Sequence, residues 1–264
     1  MKILFIGTLK TNSYFEYLAL KKIYKNIDVV DCTQFFLLPS ISHRIFYHIS
    51  PKIFEPFLDN FILSRIKKNY DLIYVTSSPA AYIGKKLILN LKTKTKKIIV
   101  LLNDNPFAKR DKNRWKLYLD AAPHYDLTVS YYRSRITMGK KYGLKNTLLV
   151  WPPYQKNVHC KQKISNREKK QLSSEVVLIG TWFPERGVFF KKLIDLGLDI
   201  KIYGNRWEKD PNYSLIKSKI TLGHVYNPLY SKLIQCSKIS ICLPSEGNAD
   251  GLTRRSIEIP AIGT

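Results

Sequence analysis

A doubly wound α/β protein with two parallel sheets is what this sequence predicts, and two observations carry the prediction. Short apolar runs alternate with amphipathic segments, and the alternation halts at a long polar stretch before it starts again. Strands separated by helical segments build parallel sheets covered on both faces. The 264 residues suit one large domain or two of ordinary size, and 45% apolar residues suffice to build real cores.

The first series reads KILFIG, YFEYLALKKIY and IDVVD, then DLIYVTS, KKIIVLLND, YDLTVS and NTLLVW. It predicts one α/β domain over residues 1–152. After VWPP, the stretch YQKNVHCKQKISNREKKQLSSE is polar, charged and without period, which predicts a linker over 153–174. VVLIGTWFPERGVFFKKLIDLG, LDIKIYGN, KITLGH, NPLYSKLIQCS and KISICLPSEG then repeat the strand and helix pattern in a second domain, 175–264. The expected architecture is two Rossmann-like doubly wound domains facing each other across a cleft. Ligands of open α/β sheets sit beyond the carboxyl ends of the strands, so the loops after VVLIG, IYG and SICLP are expected to line it.

The chain carries 44 Lys plus Arg against 20 Asp plus Glu, a net charge of +24. Such a balance favours nucleic acid, an anionic membrane surface or phosphorylated substrates. The abundance of Lys, Ile, Asn and Tyr is also what an A- and T-rich codon bias gives, and charge alone does not choose. For nucleic acid the charge is the sole support, since no recognised RNA or DNA motif is present. Cys32, Cys160, Cys236 and Cys242 show no CxxC spacing and no His at zinc-finger distance, so reduced cytosolic thiols are expected rather than a metal or disulfide framework. The apolar run ILFIG is shorter than a signal h-region, and no window approaches the ~20 apolar residues of a membrane span. A cytoplasmic protein is expected, with any membrane contact peripheral.

Neither strand-to-helix turn, FIGTLKTN or LIGTWFPERG, carries G-x-G-x-x-G, and no G-x-x-x-x-G-K-[ST] occurs, which disfavours a nicotinamide enzyme and a P-loop NTPase. In GTWFPERG, Gly180 permits a tight turn, Pro184 suits the first helical turn, and Arg186 lies near its amino end. Arg186 is a phosphate candidate, against the plainer reading of a surface Arg paired with Glu185. In IYGNRW, Gly204 ends a strand, and Trp207 either stacks on a base or packs.

The closing stretch NADGLTRRSIEIPAIGT sets Asp250 and Glu258 with seven residues between them. In a helix that is roughly 12 Å along the axis, too far for the about 5–9.5 Å of a glycosidase acid pair. A helix starting at Asp250 or Gly251 would aim the N–H groups of Gly251, Leu252 and Thr253 at an anion. Arg255 would add charge-assisted hydrogen bonds, and Glu258 would accept hydroxyl hydrogens. The alternative is a surface helix with Arg254 paired to Asp250 and Glu258. Asp104, in LLNDNP, sits at an expected strand end as an acceptor-orienting group or base, or else as a turn former before Pro106. His43, His48, His124, His159 and His224 show no partner spacing and are assigned no catalytic role.

The segments LIGTWFPERGVFFKKLIDLGLDIKIYGNRW and TRRSIEIPAIGT resemble the GT-B glycosyltransferases of the group-1 kind, especially the spore-maturation-protein-like branch. That branch has a comparable G…PER turn, IYG…W strand end and T-x-R-x-[FI]-E-x-P-A-x-G helix, which Thr253, Arg255 and Glu258 match directly. The likeness covers the second half nearly throughout. In the first half it extends only to the order and general character of the segments, seen in KILFIG, in the NDNP strand end, and in YDLTVS followed by a helix and VWPP.

The resemblance implies transfer of a sugar from a nucleotide-diphosphate-sugar donor, held by the second domain, to a glycan or lipid-linked acceptor held by the first. Anomeric configuration is expected to be retained, without a dedicated side-chain base. The nucleotide sugar is a substrate. No metal or other cofactor is implied, and the absence of D-x-D leaves the diphosphate charge to protein groups. Gly180, Arg186, Gly204, Thr253, Arg255 and Glu258 are the implied donor-binding residues. Asp250, where the pattern usually has Glu, would lie near the donor sugar, and Asp104 on the acceptor side. Chains of this fold continue past PA-x-G, so the second sheet is expected to lack its last elements and to expose apolar surface around Ile257, Ile259 and Ala261. An inactive, truncated transferase and a basic nucleic-acid-binding protein are the alternatives.

Overall fold

The computed structural model describes residues 1–35, 50–108, 113–244 and 251–263. The chain divides into two compact units, the first Met1–Trp151 and the second running from Pro152 onward. Every strand pairing in both sheets is parallel.

In the first unit, β1 (Lys2–Gly7), β2 (Asn26–Asp31), β3 (Leu72–Thr76), β4 (Ile98–Leu102), β5 (Leu127–Ser130) and β6 (Thr147–Leu149) line up as β2-β1-β3-β4-β5-β6. The described helices between them are α1 (Thr11–Ile23), α2 (Glu55–Leu63), α3 (Ser77–Ala80), α4 (Lys85–Lys92), α5 (Lys116–Ala121) and α6 (Arg133–Lys140). Ile3, Leu4, Phe5 and Ile6 of β1 are all buried, as a strand in the middle of a doubly covered sheet requires. Strand order reverses between β1 and β3, which makes their carboxyl ends the switch point of this sheet.

The second unit holds α7 (Asn166–Leu172), β7 (Ser174–Ile179), α8 (Pro184–Asp195), β8 (Ile200–Gly204), α9 (Tyr213–Ile216), β9 (Ile220–Leu222), α10 (Leu229–Gln235), β10 (Ser237–Ile241) and α11 (Arg255–Ile262). Its sheet runs β10-β7-β8-β9, so order reverses between β7 and β10. Strand β7 shows how the unit is held. Val176 and Leu178 point into a cluster with Phe190, Ile200, Ile202 and Trp207. Val177 and Ile179 alternate to the other face, against Tyr230, Leu233, Ile234 and Ile262. In register, Val177 lies between Lys201 of β8 and Ser240 of β10.

The expected linker over 153–174 contains a helix. Residues 166–172 form α7, whose amino end is a capping box: Glu168 N–H donates to Ser165 Oγ, and Ser165 N–H donates to the Glu168 carboxylate. Lys232 of α10 pairs with Glu168 and ties the segment to the second unit. No residue of α7 is buried, which is why the stretch shows no apolar period although S-N-R-E spells its start. Ile257, Ile259 and Ala261 are each partly exposed. Among the described residues no helix is long and apolar enough to cross a membrane.

Phe190 and Val188 lie on opposite faces of α8: Phe190 is fully buried, edge-on to Trp207 with centroids 5.9 Å apart, whereas Val188 is exposed. Phe190→Ala is therefore expected to cost about 3–5 kcal/mol and Val188→Ala less than about 0.5 kcal/mol. Urea unfolding of the two variants checks this contrast.

Candidate functional site

The carboxyl ends of β7 and β10 gather most of the residues singled out by sequence. Gly180 continues the ladder past β7, its N–H donating to Tyr203 O at 2.8 Å. Its carbonyl accepts Trp207 Nε1–H at 2.9 Å. Gly204, at φ +158°, brings its Cα against the same carbonyl, and a methyl group there would collide with it. Gly204 thus has a packing reason for its identity. Trp207 packs: it is fully buried, so it offers no face to a base.

Arg186 is not a surface residue paired with Glu185. Only 5% exposed, it turns back from the first turn of α8 and donates from Nη1 to Thr181 O at 2.7 Å. From Nη2 it donates to Leu243 O at 2.8 Å and to Pro244 O at 3.5 Å. One guanidinium thereby joins the loop after β7 to the loop after β10, across the switch point. Burial, then the nearby Arg255, lowers its pKa. Its Nε has no hydrogen-bond partner among the described residues, and neither has that of Arg255.

The closing helix begins later than expected. It starts at Arg255, with Arg254 as its N-cap, rather than at Asp250 or Gly251. Short polar contacts hold the preceding turn to the end of β10. Thr253 N–H donates to Ser256 Oγ at 3.2 Å, and Cys242 Sγ lies 3.0 Å from Thr253 Oγ1. Ser256 N–H returns to Thr253 O. The Thr253 N–H is therefore spent inside the turn and is not a free donor for an anion. Asp250 lies outside the described residues.

Glu258 sits on the core face of α11, one turn before buried Ile262, and is only 7% exposed. Tyr230 OH donates to its Oε2 at 3.0 Å. His159 Nε2 faces its Oε1 at 3.6 Å, an electrostatic contact longer than a hydrogen bond. On the other side of the ring, Gln155 N–H donates to Nδ1 at 2.9 Å, so the neutral ring carries its proton on Nε2. Burial lowers the His159 pKa, Glu258 works against that shift, and Arg254 adds to it. Glu258 is accordingly neither exposed nor the partner in a surface ladder with Arg254.

In the first unit, Asp104 follows β4 as expected. Its N–H donates to Ser77 Oγ at 3.3 Å and its half-exposed carboxylate lies 3.5 Å from Arg114 Nη1. Beside it, Asn103 Nδ2–H donates to buried Glu16 at 3.1 Å, and Arg135 donates to Asn103 O at 2.7 Å. At the switch point Ser13 Oγ accepts Thr8 N–H and donates to Thr76 Oγ1. Among the described residues no group of three His, Cys, Asp or Glu side chains could hold a metal ion.

No family model matches the chain. No curated protein matches it in sequence. Solved structures do match. The α,α-trehalose-phosphate synthase (UDP-forming) of Burkholderia xenovorans, in complex with glucose-6-phosphate, aligns over 99% of this chain and 83% of its own, with a TM-score of 0.62 and 9% identity. The UDP-N-acetylglucosamine 2-epimerase of Rickettsia bellii aligns over 91% of this chain and 74% of its own, with a TM-score of 0.59 and 10% identity. The fold is GT-B.

Sequence reasoning missed four residues of these two GT-B units: His159, Tyr230, Glu16 and Arg135. Glu16 had a signal, because with Ser13 it shares the i, i+3 face of α1 that is buried. His159 had none, being a lone imidazole in a polar stretch.

His159 also makes stability depend on pH. Its folded pKa lies below the ordinary value of 6.5, so the unfolded chain takes the proton first as pH falls. The contribution is whole above pH ~6.5 and declines below it. His159→Gln is expected to flatten that decline, read as the difference in unfolding midpoint between the two proteins from pH 7.5 to 5.

Proposed function

We propose that this chain is a glycosyltransferase that moves a sugar from a nucleotide-diphosphate-sugar donor to a hydroxyl of a glycan or lipid-linked precursor. The supporting observation is the group at the second switch point: Arg255 and the Arg186 brace beside the ends of β7 and β10, with Glu258 one turn along α11 from Arg255. Guanidinium groups suit a diphosphate, which they meet with charge-assisted hydrogen bonds, and a carboxylate suits ribose hydroxyls. The neighbours of the same fold are named for UDP-linked chemistry, one as UDP-forming and one as acting on UDP-N-acetylglucosamine.

In this reading Arg255 meets the diphosphate directly and needs no metal, while Arg186 holds the two loops that flank it. Glu258 takes the ribose. Thr253 shapes the turn before α11, and Gly180 with Gly204 lets two strand ends close up beside the ligand. Transfer breaks the bond between the anomeric carbon and the distal phosphate oxygen, whose electron pair leaves with the nucleoside diphosphate. The acceptor oxygen bonds to the same carbon, and its proton passes to the leaving diphosphate, so a retaining reaction asks for no side-chain base. Asp104 orients the acceptor hydroxyl, and Asp250 meets the donor sugar. The cationic excess of the chain attracts a phosphorylated or membrane-held acceptor, at about 1 kcal/mol for each Lys or Arg near an anionic surface.

A thermal-shift screen against UDP-, GDP-, dTDP- and CMP-sugars tests the reading. One donor class at 100 times its Kd is expected to stabilise the chain by about 2.7 kcal/mol, and Arg255→Ala to weaken that donor about 10- to 100-fold. No shift with any donor, together with co-purifying nucleic acid released steeply by salt, would favour the nucleic-acid alternative.

A further inference from the structure

We propose that His159 and Tyr230 are positioning residues for Glu258, and that the segment carrying His159 belongs to the donor site. The inference rests on the reading of Glu258 as the residue that accepts hydrogen bonds from the donor's ribose.

The Glu258 carboxylate has about four lone-pair positions on its two oxygens. Tyr230 OH fills one on Oε2, and the Nε2–H of His159 approaches one on Oε1. These two contacts fix the plane of the carboxylate and leave its remaining positions for ligand hydroxyls. A carboxylate free to rotate at this place would lose ordering entropy with each ligand bound.

The two clamping groups move together. Ser231 Oγ, beside Tyr230 on α10, donates to Val158 O at 3.1 Å. Gln162 N–H donates to Gln235 Oε1 at 2.7 Å, and Gln235 Nε2–H returns to Gln162 O at 3.3 Å. The His159 ring itself stands edge-on to Tyr230, with centroids 6.1 Å apart. Residues 155–162 and α10 are thus one body, and Glu258 of α11 is presented against it.

The arrangement is costly for a purely structural contact, because a buried carboxylate facing an imidazole is held no better than a well-packed apolar pair. It also carries its own sensitivity to acid. Among the described residues, the charged and titratable groups that act on His159 include Glu258, Tyr230, Arg254 and, through Tyr230, Arg255. A second proton would go to Nδ1 and break the bond from Gln155 N–H, and it would place a cation between Glu258, which attracts it, and Arg254, which repels it.

Two measurements on the full chain test the proposal. Imidazole 15N NMR, needing no ligand, is expected to show His159 with its neutral proton on Nε2, and Glu258→Gln to lower its titration midpoint. Titration with UDP, GDP and dTDP is expected to show about tenfold weaker binding of the nucleotide that binds in His159→Gln and in Tyr230→Phe. A His159 resonance unmoved by Glu258→Gln overturns the clamp. Wild-type affinity in both variants overturns its role in binding. Failure of the wild type to bind any of the three nucleotides overturns the donor reading itself, while the NMR result still decides whether the clamp exists.

Discussion

The second unit depends on one buried guanidinium. Arg186 donates to Thr181 O on one side of the switch point and to Leu243 O on the other, so two loops that would otherwise part are held at hydrogen-bonding distance. The cost of burying that charge is offset by carbonyl dipoles, and Glu185 also acts on it electrostatically. Arg255, close enough to lower the pKa of Arg186, adds a second positive charge. In an open α/β sheet the crevice for a ligand lies beyond the strand ends where the order reverses, and in this sheet that is between β7 and β10.

The glycines and the tryptophan around this brace form a second constraint. Gly180 O receives the indole N–H of Trp207, and Gly204 passes close enough to that carbonyl to exclude any side chain. The ends of β7 and β8 are thereby locked to the core under α8, where Trp207 meets Phe190.

Fold class was legible in the sequence because parallel strands buried on both faces leave uninterrupted apolar runs such as VVLIG and IIVLL. The helix within the stretch after VWPP was missed because α7 buries nothing, although its capping box was written out. The start of α11 was misplaced for a related reason: Thr253 and Ser256 exchange hydrogen bonds that favour a turn over a helix, and neighbouring Gly251 and Asp250 gave a competing N-cap signal. Arg255 and Glu258 were identified by motif, whereas the surroundings of Glu258 were not. Its partners, His159 and Tyr230, come from segments about 100 and 28 residues away in sequence, and no local pattern joins them.

Where a donor sits decides whether the crevice at the second switch point is a binding site. Hydrogen–deuterium exchange of the full chain, with and without saturating UDP-, GDP- or dTDP-sugar, locates it directly. Slower exchange is predicted at residues 180–186, 243–244 and 253–258 with one donor class, and little change in β1 to β6. Protection confined to other segments, or unchanged exchange at these three with every donor, would contradict it.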